Sequence, residues 1–109
     1  MKQILVIGAG RSAVTLIDYL LKESHLNLWK VTIADYNLNL AENLASNNSN
    51  ARPIFFNVND EQQRENEIRN SDIVVSMLPS HMHFLVAKDC VKFKKNLVTA
   101  SYVSDQIKA

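Results

Sequence analysis

The chain contains only two glycines, and both fall in Gly8-Ala9-Gly10-Arg11-Ser12-Ala13, a G-x-G-x-x-A pattern. That spacing suits a turn that receives a pyrophosphate. Gly8 allows the tight bend, Gly10 lets the backbone approach the phosphates, and Ala13 lets a helix pack close to the preceding strand. The free N–H groups at the start of that helix, from Arg11 and Ser12 onward, would face the anion. The Arg11 side chain could reach the pyrophosphate or equally point to solvent. About 20 residues further on stands Asp35, where a carboxylate accepts hydrogen bonds from an adenosine ribose. It would repel a 2′-phosphate, and no arginine follows in Tyr36-Asn37-Leu38-Asn39. NAD is therefore expected over NADP. The competing reading is that Asp35 merely ends a strand or caps the next helix.

A glycine pattern carries weight only between a strand and a helix. Ile4-Leu5-Val6-Ile7 is an unbroken apolar run before the turn, the mark of a strand buried on both faces. Ala13, Leu16, Ile17, Leu20 and Leu21 recur after it at helical spacing, with the helix ending near Lys22-Glu23. Trp29 to Ala34 reads as a second strand. A second helix starts near Asn37 or Asn39, with Leu40, Ala41, Leu44 and Ala45 turned to the sheet. Residues 51–56 hold a third strand, with Pro53 near its beginning. Asn59 or Asp60 caps a third helix, Glu61 to Arg69, and Asn59 with Gln62 resembles a capping box. That helix is nearly all polar around Ile68 and should be exposed and poorly held. Asp72 to Met77 is a fourth strand. Ser80 caps a fourth helix with Met82, Leu85, Val86 and Val91 as its buried stripe. Asn96 to Ala100 is a fifth strand.

Strands alternating with helices imply an α/β, doubly wound parallel sheet of the Rossmann type, with about five strands in order 3-2-1-4-5. The ligand crevice then lies between strands one and four. Its rim would be Gly8 to Ser12, Asp35-Tyr36, Asn57-Val58, Leu78-Pro79 in the 76–80 loop, and Ser101-Tyr102. Tyr36 could cover an adenine ring, and Asn57 with Val58 could contact its edge and face, capping a strand end being the plainer role of Asn57.

Composition narrows the classes. With 109 residues, 47% hydrophobic and 21% charged, the chain is one ordinary globular domain. Twelve basic against eleven acidic residues leave no electrostatic footprint for nucleic acid or an anionic membrane. No apolar run approaches the length of a membrane span. A single cysteine, Cys90, reads as core, and no leader fits before the first strand, so a cytoplasmic protein is expected. Lys92, Lys94 and Lys95 read as a solvated helix end. His81 and His83 are two apart and share no helix face with a completing acid or cysteine, so no metal site is expected. No catalytic acid or base is visible.

Beyond the glycine turn, IVVSMLPSHMH and VAKDCVKFKKNLVTASYVS resemble the N-terminal cofactor domain of the saccharopine dehydrogenase/reductase family over essentially the whole chain. Leu78-Pro79, His83 and residues 99–104 carry the resemblance most specifically. It implies NAD(P)-dependent hydride transfer at a C–N bond of an amino-acid-derived secondary amine, in lysine metabolism. It also places Tyr102 at the edge facing substrate, and gives His83 no chemistry. Glutamate-forming members usually use NADP and carry an arginine where Asp35-Tyr36-Asn37 stands here. Members also have a second domain that binds the amino-acid substrate, and it is absent from residues 1–109. These residues are therefore expected to bind dinucleotide and to be inactive alone, and an isolated piece could self-associate through the face its partner domain covers. The alternatives are another carboxyalkyl-amine dehydrogenase of the same superfamily, or a non-catalytic NAD-sensing module.

Overall fold

Strand β1 (Lys2–Ile7) sits at the middle of the sheet, and its alternation divides the molecule into two layers. Ile4 and Val6 point to one face and Leu5 and Ile7 to the other, and all four are buried. The computed structural model describes residues 2–99. After β1 come α1 (Arg11–Asn27), β2 (Trp29–Asp35), α2 (Leu38–Ala45), β3 (Ala51–Phe55), α3 (Glu61–Arg69), β4 (Ile73–Ser76), α4 (Ser80–Lys92) and β5 (Asn96–Thr99). All strand pairs are parallel, in the order β3-β2-β1-β4-β5, so the expected doubly wound topology is the observed one. Register carries Ile7 beside Ala34 on one side and Ser76 on the other. The turn after β1 therefore opens between the ends of β2 and β4, where the chain reverses its direction of winding.

On the first face, Ile4, Val6, Val31, Ile33 and Val75 of the sheet meet Ala13, Ile17, Leu20 and Leu21 of α1 and Ala41 and Ala45 of α2. This is the periodic stripe the sequence displays. Two details differ. Helix α1 continues to Asn27, with Ser24 buried and its hydroxyl donating to the Leu21 carbonyl, 2.7 Å, and ends at Leu28, which takes a left-handed cap. Leu40 of α2 is exposed rather than sheet-facing.

On the second face, Leu5, Ile7, Ala34 and Val74 meet Phe56, Val58, Ile68, Val86 and Cys90. Here the sequence expectations need more correction. Helix α3 is not poorly held. Arg64 is 3% exposed and pairs with the fully buried Asp89 of α4, Lys92 reaches Glu65 at 3.1 Å, and Arg52 of β3 grips Glu67 through two 3.0 Å contacts. Lys92 is thus an ion-pair partner and not only a solvated lysine, while the Glu65 carboxyl is held below its ordinary range by that hydrogen bond. In α4 the buried side chains are Val86, Asp89 and Cys90, with Met82 and Leu85 partly covered, and Val91 is exposed. Residues 82, 86, 89 and 90 fall on one helical stripe and 91 does not. Pro53 occupies the third place of β3, tolerated because β3 is an edge strand.

Candidate functional site

The two glycines stand in different physical situations. Gly8 has φ +101°, and a Cβ there would lie 3.3 Å from Met77, so both the backbone conformation and the approach of β4's end call for glycine. Gly10 has φ −74°, is exposed, and a Cβ added to it meets nothing within 4 Å. Among the described residues, none crowds position 10 closely enough to require a glycine.

Helix N-termini on this edge of the sheet divide in the same way. Asn37 caps α2, accepting from the Asn39 and Leu40 N–H groups, and Asp60 caps α3, accepting from Gln63. The cap of α3 is thus Asp60, and Gln63, not Gln62, is the amide that turns back toward the chain entering it. By contrast α1 starts after Gly10 and α4 after Pro79, neither of which offers a side-chain oxygen, and neither first turn contains an acid. Pro79, not Ser80, is the N-cap of α4; its carbonyl accepts from the Met82 and His83 N–H groups. Two N-termini without N-cap side chains thus flank the winding reversal, the arrangement that favours an anion.

Beside them is a cleft of about 390 Å³ lined by Ile7, Gly8, Ala34, Asp35, Tyr36, Phe56, Asn57, Val58, Asn59, Leu78 and Met82. It brings together Gly8, Asp35, Tyr36, Asn57, Val58 and Leu78 of the residues singled out from sequence. Gly10, Ala13 and Pro79 do not line it: Ala13 is buried under α1, close to the sheet as its small side chain requires, and Pro79 is exposed at the head of α4. Arg11 and Ser12 form the first turn of α1. Tyr102 lies outside the described residues, with Ala100 and Ser101. Phe56 and Met82 are walls that sequence reasoning assigned to a strand and to a helix core. Their position next to loop residues already singled out was the available signal.

Asp35 ties the cleft together. One carboxylate oxygen accepts from the Ala9 N–H and the other from the Asn37 N–H, each at 2.8 Å. It therefore clamps the glycine turn to the start of α2. An ionised carboxylate has about four acceptor positions, so each oxygen keeps capacity for a hydroxyl. Asn57 turns its side-chain oxygen to the Asn59 N–H, 3.0 Å, which leaves its Nδ2 as the group free to donate. Tyr36 is exposed and its ring lies 5.3 Å from that of Phe55, tilted by 49°. The floor is apolar, and Asp35 is the one charge among the described lining residues. Among the described residues no three His, Cys, Asp or Glu side chains come together as a metal set, and no helix is long and apolar enough to cross a membrane.

A doubly wound sheet, a glycine turn leading into a helix without an N-cap side chain, and an acid at the end of β2 define a dinucleotide-binding domain. More specifically, the chain belongs to the saccharopine dehydrogenase NADP binding domain family, whose profile matches residues 4–109. It is 34% identical over 103 residues to the saccharopine dehydrogenase [NADP(+), L-glutamate-forming] of Pyricularia oryzae, covering 94% of this chain and 22% of that one. It is 31% identical over 108 residues to the mitochondrial alpha-aminoadipic semialdehyde synthase of Bos taurus, covering 98% of this chain and 11% of the relative. The solved apo saccharopine dehydrogenase (L-Glu forming) of Saccharomyces cerevisiae superposes with a TM-score of 0.80 at 28% identity, over 91% of this chain and 21% of that chain. This chain thus spans about a fifth or less of these relatives.

The NAD preference read from Asp35 finds no support in these relatives, since the family is that of an NADP-binding domain. The local reason is that both oxygens of Asp35 already serve backbone amides. An acid at this position has a structural use without any ribose.

Proposed function

We propose that residues 1–109 hold the dinucleotide of a longer saccharopine dehydrogenase-type oxidoreductase, whose amino-acid substrate is bound by a domain outside this chain. When bound, the cofactor supplies hydride transfer at a C–N bond. The residues of this chain bind and orient it. Gly8 and Gly10 with the Arg11-Ser12-Ala13 turn take the pyrophosphate, Asp35 the adenosine ribose, Tyr36 covers the adenine ring, and Asn57 and Val58 contact its edge and face. Leu78 and Pro79 form the cofactor rim at the head of α4, and Tyr102 would face the substrate. A cytoplasmic location belongs to the same reading, and cell fractionation tests it.

The observation that carries this reading is Gly10: exposed, in ordinary backbone geometry, with open space where a side chain would be. Family membership favours NADP as the natural ligand. A specific observation favours NAD as the second reading: the cleft's one described charge is the Asp35 carboxylate, and Tyr36-Asn37 brings no cation to meet a 2′-phosphate.

Calorimetric titration with NADP and with NAD, on the native chain and on Gly10→Ala, tests both. Gly10→Ala should fold with stability within about 1 kcal/mol of native, the scale of an N-cap change, and should bind dinucleotide at least roughly tenfold more weakly, a loss of about 1.4 kcal/mol. Native-like binding by Gly10→Ala would remove the pyrophosphate from the turn. Asp35→Asn deletes the charge and keeps one oxygen, enough for the Ala9 N–H but not for the Asn37 N–H as well. It should shift the NADP-to-NAD affinity ratio toward NADP by roughly tenfold if the carboxylate faces the ribose, and leave the ratio alone if it only clamps the turn.

A further inference from the structure

The buried pair of Arg64 and Asp89 has a third member. While Arg64 Nε donates to Asp89 Oδ2, its Nη1 donates to the carbonyl of Val58 at 2.7 Å. Val58 lines the cleft. The loop around it is held from below by the same helix: Gln63 Nε2 donates to the Phe55 carbonyl, 2.7 Å, and Gln63 Oε1 accepts from the Asn57 N–H, 3.2 Å. Successive residues of α3 therefore grip one wall of the cleft, and Arg64 extends that grip to α4, whose Met82 lines the cleft as well.

Stability alone does not account for this pair. Helix α3 is already anchored by Ile68, by Arg52 on Glu67 and by Lys92 on Glu65. Among the described residues the second oxygen of Asp89 is buried without a hydrogen-bond partner. A buried ion pair of this kind is commonly matched or bettered by two apolar side chains. What apolar side chains cannot supply is a directed donor for the Val58 carbonyl.

We infer that Arg64 is a positioning residue for the adenosine end of the cleft: through the Val58 carbonyl it fixes the Asn57–Asn59 wall, and Asp89 balances its charge and links that wall to α4. The inference rests on the dinucleotide reading of the cleft. It concerns a residue that touches no ligand itself and is buried behind the wall.

The test is the double variant Arg64→Met/Asp89→Leu, which removes both charges together, alongside the native chain. Thermal melting and calorimetric titration with the dinucleotide that the native chain binds, and with ADP-ribose, are the readouts. The expected result is a cooperatively folded variant with a melting point moderately below native, and affinities for the dinucleotide and for ADP-ribose both about tenfold weaker, the consequence of one carbonyl losing its donor and the wall relaxing. A folded double variant with native affinity overturns the inference while leaving the dinucleotide reading intact, as does a loss confined to the full dinucleotide and absent with ADP-ribose. A native chain that binds neither NADP nor NAD overturns the reading and the inference with it. If the double variant does not fold, Arg64→Lys replaces it: the ammonium keeps a cation beside Asp89 but lacks the fixed fork that serves two acceptors. The same weakening with ADP-ribose is expected, and unchanged affinity again overturns the inference.

Discussion

Ile17 and Arg64 occupy comparable places on opposite faces of the sheet, each buried where a helix meets the core, and they are held by different physics. On the α1/α2 face, α1 lays Ala13, Ile17, Leu20 and Leu21 onto Val6, Ile33 and Val75, with hydrocarbon on both sides. On the α3/α4 face, a helix of nine residues with Ile68 as its one apolar side chain is tied down by charges. Hydrophobic packing is non-directional and needs only a stripe of suitable side chains. An ion pair needs particular partners in particular places. The apolar face can therefore serve as a base for the glycine turn, while the polar face can set the position of a loop atom by atom.

The largest expected effect separates the faces most sharply. Arg64→Leu strands the Asp89 carboxylate in the core and should destabilise the fold by about 3–5 kcal/mol, measured by denaturant unfolding. The double variant Arg64→Met/Asp89→Leu should recover most of it, short of the roughly 1–3 kcal/mol for the Val58 carbonyl left without its donor. If the single variant loses no more than a surface substitution does, the pair is solvated and the contrast between the faces collapses.

Ile17→Ala probes the other face. It removes a fully buried side chain from between α1 and the sheet and should cost about 3 kcal/mol. Since no charge is involved, the loss should be the same at low and at high salt. A salt-dependent loss would mean that α1 is held by something other than apolar contact.

The same division decided what the sequence discloses. Strand β1, the glycine turn, the stripe of α1 and the strand order all follow from periodicity and turn chemistry, and all are found, while of the two cap candidates for α2, Asn37 and Asn39, the structure selects Asn37. Asp35 was legible as a site residue but not as the clamp on Ala9, because which N–H its oxygens reach depends on how the turn closes. On the second face the informative partners are 25 residues apart: nothing near Arg64 in sequence announces Asp89. An acid inside the buried stripe of α4 disguised that stripe: Cys90 reads correctly as core, but Val91 takes the place in it that belongs to Asp89. Phe56 and Met82 became cleft walls through the crossing of chain segments, which local pattern does not encode.

The smallest expected effect lies where the two kinds of holding meet, at Cys90. Its side chain is buried beside Leu5, Val74 and Val86 on the apolar floor, and its chain neighbour is Asp89. Burial, and then the Asp89 carboxylate, push the thiol from its ordinary 9.0 up to about 11. The folded chain therefore keeps a proton that the unfolded chain gives up as pH passes 9, so folding stability is unaffected below pH 9 and falls between pH 9 and 11. The total contribution is at most about 2.7 kcal/mol, reached only once pH has passed both values. Lysines and tyrosines titrate in the same window, so the measurement is a difference. Melting curves of the native chain and of Cys90→Val should run parallel below pH 9 and separate above it, with the native chain losing more. Curves that stay parallel to pH 11 would mean that water reaches the thiol, and with it the space between Asp89 and the sheet. The ion pair behind the cleft would then be a hydrated one, and the two faces less different than their packing indicates.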